Sequence, residues 1–134
     1  MSVNDASPDL TDLHLLVVDD HDDTLEVFGA ALELHGAHVL TARSARDALT
    51  LLKTVRLDAI ISDLAMPGER GFWLVEQLRG LESEKGGSIP ALAVTAHWDR
   101  YSAEQVTAAG FEAFLAKPVD PLNLSRTVAS LVGR

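Results

Sequence analysis

Cysteine is absent from this chain. Disulfides, thiolate metal sites and cysteine nucleophiles are therefore excluded, and a reducing cytoplasm suits the composition. Basic residues are scarce: 11 Lys and Arg stand against 20 Asp and Glu, a net charge of −9. No Lys/Arg cluster occurs, which argues against a nucleic-acid partner, because the phosphate backbone is gripped by grouped cations. The acidity itself is an ordinary aid to solubility. Long hydrophobic runs are missing too. Nothing approaches the ~20 apolar residues of a membrane-spanning helix. The opening "MSVNDASPDLTD" has no Lys or Arg and does not resemble a signal peptide. Repeats, low-complexity tracts and a linker able to divide the chain are also lacking. What remains is 134 residues, 47% hydrophobic and 23% charged, enough for one core. We expect a flexible lead-in at 1–12 and a single domain at 13–132, either standing alone without an output module or forming one piece of a larger protein.

What is present is alternation. "HLLVVD" (14–19) is a short apolar run, and a helical stretch from about Asp23 to His35 follows, with Leu25, Phe28 and Leu32 on one face and Gly36 as its stop. "AHVLTA" (37–42) reads as a second strand, and Ser44 can cap a helix reaching Val55, with Ala45, Ala48, Leu49 and Leu52 inward. "LDAIIS" (57–62) is a third strand, and its helix carries Phe72, Val75, Leu78 and Leu81, broken by "EKGGS". "IPALAVT" (89–95) precedes a shorter, more polar helix over Ser102–Ala109; "FEAFLA" (111–116) precedes one from Asp120, striped by Leu124, Val128 and Leu131. Five strand–helix pairs with nearly all-apolar central strands predict an α/β three-layer sandwich around a parallel five-stranded sheet. Right-handed crossovers and the flavodoxin-like order 2-1-3-4-5 fit five such units, a (βα)5 fold.

In such sheets ligands bind beyond the carboxyl ends of the strands. Asp19 and Asp20 follow the first strand, Asp63 the third, Thr95 the fourth, and Lys117–Pro118 the fifth. Thr41 and Arg43 at the second are unremarkable. Three carboxylates brought together repel one another unless a cation joins them. An oxygen-only donor set suits a hard ion, magnesium or alternatively manganese. A metal, a carboxylate nucleophile, a hydroxyl and an ammonium are the parts that phosphoryl transfer needs. Asp63 is then the nucleophile, with Thr95 and Lys117 on the phosphoryl oxygens. Singly, each residue has a plain reading: Asp63 as a turn starter, "DDHDD" as a solvated acidic loop, Lys117 as a surface charge.

The motifs "LLVVDD" (15–20), "IISDLAMP" (60–67), "VTA" (94–96) and "FLAKP" (114–118), in order and at the proper strand ends, resemble the receiver domain of two-component response regulators. The likeness covers about 13–132 and extends to receivers of hybrid histidine kinases. It implies that Asp63 accepts a phosphoryl group from a histidine kinase or a histidine phosphotransfer protein. It implies that Asp19 or Asp20, Asp63 and the backbone carbonyl of Ala65 hold magnesium, Asp20 most directly. It implies a cis bond between Lys117 and Pro118. A switch is implied as well: Thr95 moves to the phosphoryl group, Phe114 turns inward, and the face of the fourth helix, fifth strand and fifth helix changes shape for a downstream protein. Small Ala96 leaves room for access. Two positions depart from the common pattern: Arg70 stands before Gly71 where Asp is usual, and Phe114 lacks a tyrosine's hydroxyl; Ala65 and His97 sit two residues beyond Asp63 and Thr95, positions that the resemblance links to phosphoryl lifetime.

Two other classes compete. A magnesium-dependent aspartyl phosphatase would need a second Asp two residues after the nucleophile, and position 65 is Ala. A pseudo-receiver would dock partners without being phosphorylated, yet every acceptor-site residue type is present. His35 and His38 read as surface residues, His21 as a neighbour of the acidic pair, Trp73 as packing, and Trp98 as an exposed aromatic able to anchor a partner. The expectation is a cytoplasmic signalling module, not an enzyme, with neither nucleic acid nor membrane as partner and no oligomeric state specified.

Overall fold

The computed structural model describes residues 7–134 apart from 67 and 69. The first six residues of the lead-in, together with Pro67 and Glu69 of the loop after Asp63, lie outside the described set. Ten main elements follow one another: β1 (His14–Val18), α1 (Asp22–Leu34), β2 (His38–Ala42), α2 (Ala45–Thr54), β3 (Ala59–Asp63), α3 (Gly71–Arg79), β4 (Ala91–Thr95), α4 (Ala103–Ala109), β5 (Ala113–Ala116) and α5 (Pro121–Leu131). All strand pairs are parallel and the sheet order is β2-β1-β3-β4-β5, the flavodoxin-like order expected.

Successive strand residues point to opposite faces, so β1 feeds two cores. Leu16 and Val18 pack with Ala48, Leu52, Leu74 and Leu78 of α2 and α3, where Val106 of α4 joins them. Leu15 and Val17 pack with Leu25, Phe28 and Leu32 of α1 and Leu124 and Val128 of α5. The helix starts follow the local chemistry. Ser44 Oγ accepts the Asp47 N–H at α2, and Asp120 accepts the Asn123 N–H with Pro121 next to it at α5. Ser102 and Gln105 form a reciprocal capping box that sustains the short, mostly exposed α4.

Some boundaries differ from expectation. β3 begins two residues later and runs through Asp63, because its ladder with β1 starts at Leu15↔Ala59. β4 begins at Ala91: Pro90 has no N–H to give the ladder, although its carbonyl accepts from Ile60. α3 stops at Arg79, leaving Leu81 outside it, and its buried face includes Leu74 while Phe72 is only half-buried against Tyr101 and Phe111. A 3-10 turn at Trp98–Arg100 was not anticipated. Leu10, within the stretch expected to be a flexible lead-in, is fully buried. Its N–H donates to the His35 carbonyl, and Asp12 N–H to that of Gly36, so this part of the lead-in lies on the α1–β2 turn.

Candidate functional site

The topology delivers four strand ends to one edge of the sheet. β1 and β3 are adjacent and central, so Asp19, just past β1, and Asp63, the last residue of β3, come together with Lys117 from beyond β5. Asp19 is 2% exposed and Asp63 6%. Lys117 Nζ donates to Asp19 Oδ2 at 2.6 Å and lies 3.6 Å from Asp63 Oδ2. The opposite oxygens have separate partners: Asp19 Oδ1 accepts from the His21 backbone N–H (2.9 Å), and Asp63 Oδ1 from the Ala65 N–H (3.2 Å). Asp20 is partly exposed, but its Oδ1 is buried and accepts no hydrogen bond.

Thr95, the last residue of β4, is fully buried; its Oγ1 accepts the His97 N–H at 3.0 Å and its carbonyl accepts the Lys117 N–H at 2.8 Å. The backbone thus ties the Thr95 and Lys117 positions to each other. The Lys117–Pro118 peptide bond is cis. Ala96 is exposed, and Phe114 is half-buried, packed on the α2–α3 side of the sheet. Ala65 is half-buried at the start of the loop after β3. Trp98 is 57% exposed, whereas Trp73 lies under the Arg46 guanidinium, 5.0 Å away.

The electrostatics follow from this packing. Burial pushes the Asp63 carboxyl above the ordinary carboxylate range. Lys117 and the N–H groups of Ala65 and Leu64 pull against that rise, while the charge of Asp19 adds to it. A group whose folded pKa is raised contributes stability that is full below its unfolded pKa and lost as pH climbs through the folded value. Metal-free Asp63→Asn protein is therefore expected to be more stable than wild type at pH 7–8, on the order of 1 kcal/mol or roughly 4 °C in Tm. The gain should vanish toward pH 3. Lys117 keeps its Asp19 partner in that variant, so no charge is orphaned. Thermal melts in a chelator across pH check this; a variant that melts lower at neutral pH would count against it.

The carboxylates of Asp19, Asp20 and Asp63, with the His21 ring, present ligand atoms within 4.8 Å of one another, the acidic cluster that can hold a metal among the described residues. Hard oxygen donors, one of them a buried carboxylate oxygen accepting no hydrogen bond, fit magnesium. His21, expected as a neighbour of the acidic pair, turns its ring back onto the acids, its Nδ1 donating to Asp19 Oδ1 at 3.0 Å. One feature was not legible in the sequence. Gly71, at the start of α3, lies directly against the backbone of Asp63.

The family model for the response regulator receiver domain matches residues 15–129. The chain belongs to this family. An uncharacterized 14.6 kDa protein encoded in the sodA1 3′ region of Leptolyngbya boryana is 40% identical over 119 residues, 89% of each chain. Several other curated relatives are much longer regulators and histidine kinases, and the chain spans only 13–23% of their length. Chemotaxis response regulator CheY4 of Vibrio cholerae superposes with TM-score 0.81 at 29% identity, over 90% of this chain and 99% of that one. The receiver domain of the Pseudomonas aeruginosa sensor histidine kinase PA1611 does so with TM-score 0.83 at 27% identity, over 92% of this chain and all of that one. That receiver was solved with a magnesium ion coordinated in its active-site cleft. This receiver is thus a two-component signalling module of the flavodoxin-like fold, and no helix among the described residues is long and apolar enough to cross a membrane.

Proposed function

We propose that this receiver accepts a phosphoryl group on Asp63 from a phosphohistidine of a histidine kinase or histidine phosphotransfer protein, within a cytoplasmic phosphorelay. The observation that carries the reading is the convergence of Asp63, Asp19, Thr95 and Lys117 from four strand ends onto one buried, cation-paired corner. The relatives that are histidine kinases support the choice of donor.

Asp63 attacks phosphorus with a carboxylate oxygen, a phosphorus–oxygen bond forms, and the phosphorus–nitrogen bond breaks with its electron pair leaving on the imidazole. Lys117 draws the incoming anion and pairs with a phosphoryl oxygen, while the Thr95 hydroxyl donates to another. The Ala65 N–H holds Asp63 in position for attack. Asp19, Asp20, Asp63 and the Ala65 backbone carbonyl would hold magnesium, with manganese as a substitute. Bound there, the ion would supply the positive charge that lets a carboxylate and a phosphoryl group approach each other. Exposed Ala96 leaves the phosphoryl group open to water and partners. Movement of Thr95 toward the new phosphoryl group opens space for half-buried Phe114, and the α4–β5–α5 face presents a changed surface to a downstream protein.

The test is an intact mass taken promptly after incubation with acetyl phosphate and magnesium, beside Asp63→Asn. One phosphoryl mass on wild type, lost in the variant and on chelation, is expected. No added mass, together with no response to beryllium fluoride, would refute acceptor chemistry and leave a docking module.

A further inference from the structure

His21 is the N-cap residue of α1, yet its side chain makes no capping hydrogen bond. Both its backbone N–H and its ring Nδ1 are directed at one oxygen, Asp19 Oδ1, at 2.9 and 3.0 Å. The same Nδ1 lies 3.2 Å from the buried Asp20 Oδ1, which accepts no hydrogen bond. The other Asp19 oxygen is taken by Lys117. The imidazole nitrogen, the Asp19 oxygen that lies away from Lys117 and the Asp20 oxygen without a hydrogen bond therefore form one tight face of the acidic cluster.

Neighbouring donors of an octahedral ion with bonds near 2.1 Å sit about 3.0 Å apart. The nitrogen–oxygen separations of 3.0 and 3.2 Å match that edge. Magnesium gains little from nitrogen, whereas imidazole strengthens binding of later first-row ions. Resting on the metal-site reading above, we propose that His21 is a further protein ligand at this site and shifts its preference from magnesium toward first-row transition ions such as Co2+. The ion takes the place of the proton that bridges Nδ1 and Asp19; that proton leaves to solvent, Nε2 carries the ring's remaining N–H, and the Nδ1 lone pair turns to the metal. The ring is 69% exposed, so it can adjust without breaking the core.

Calorimetric titration with Mg2+ and with Co2+ tests this on wild type, His21→Ala and Asp20→Asn. His21→Ala is expected to weaken Co2+ by about tenfold or more and to leave Mg2+ within a factor of about three, while Asp20→Asn weakens both. Proton NMR of the Co2+-loaded protein should show far-shifted histidine ring signals that vanish with ring-deuterated histidine and in His21→Ala. Equal weakening of both ions, no change in either, or the absence of shifted ring signals overturns the proposal. If Asp20→Asn still abolishes binding in those cases, the metal site survives and only the His21 role falls. If wild type binds neither ion, the site reading and this inference fall together.

Discussion

Lys117→Met is expected to lower the unfolding free energy of metal-free protein by about 3 kcal/mol, roughly 10 °C in Tm for a domain of this size. The reason is local. Asp19 is almost wholly buried and Asp63 nearly so, and the ammonium is the cation shown at both. Methionine keeps the apolar stem but leaves two like charges in one pocket. Breaking a buried pair from one side costs about 3–5 kcal/mol; the partial exposure of Lys117 places this case at the low end. Two further readouts identify the cause. The loss should shrink as pH falls into the carboxylate range, where protonation removes the repulsion. Saturating magnesium should restore more stability to the variant than it adds to wild type, because it replaces the missing charge. A loss that is independent of both pH and magnesium would mean that packing, not charge, was removed. Phosphoryl incorporation should fall in parallel, since the same ammonium is proposed to bind the incoming anion.

The residues legible in the sequence are those whose place follows from topology alone. Once five apolar runs alternate with helices, Asp19, Asp63, Thr95 and Lys117 must stand at the carboxyl edge of one sheet, and so they do. The core stripes of α1, α2 and α5 were equally plain, because a repeat of three to four residues leaves few ways to face a sheet. What stayed hidden depends on distant backbone or on a side-chain rotamer. Arg79 reads as a basic residue in the last turn of a helix. In the fold it donates to the carbonyls of Gly87, Ile89 and Gly110 and pairs with Glu112, whose carboxylate also accepts the Ala91 N–H. Backbone carbonyls carry no signature in a sequence, so a clamp joining α3 to the loops before β4 and β5 cannot be read from one. Leu10 was hidden for a similar reason: a single apolar residue in a polar stretch has no period to reveal its burial. The place of His21 beside the acidic pair follows from its position after Asp20, but the hydrogen bond from its ring to Asp19 does not.

Gly71→Ala pits local propensity against tertiary contact, and the contact is expected to win. Gly71 opens α3, and alanine in a helix interior is favoured over glycine by up to about 1 kcal/mol. On that ground alone the variant would be stabilised. A Cβ at Gly71, however, would meet the Asp63 carbonyl oxygen and crowd Leu64 Cα at 3.0 Å. Both are backbone atoms at the end of a central strand, so no rotamer can relieve the overlap. Overpacking of this kind costs about 1–3 kcal/mol after relaxation, and we expect a net loss near 2 kcal/mol in denaturant unfolding. Gly80→Ala at the other end of α3 is the control: its added Cβ would find only ordinary contacts at 3.4 and 3.6 Å, and its backbone is right-handed, so stability should hold or rise slightly. The two variants should differ in function as well. Pushing α3 away from β3 moves the residue proposed to be phosphorylated, and a shift of about 1 Å at a reacting group can cost around a hundredfold in rate. The initial rate of phosphoryl incorporation from acetyl phosphate should therefore drop sharply in folded Gly71→Ala and stay unchanged in Gly80→Ala. Equal rates in the two would show that the end of β3 tolerates displacement, and that the close approach of α3 serves packing alone.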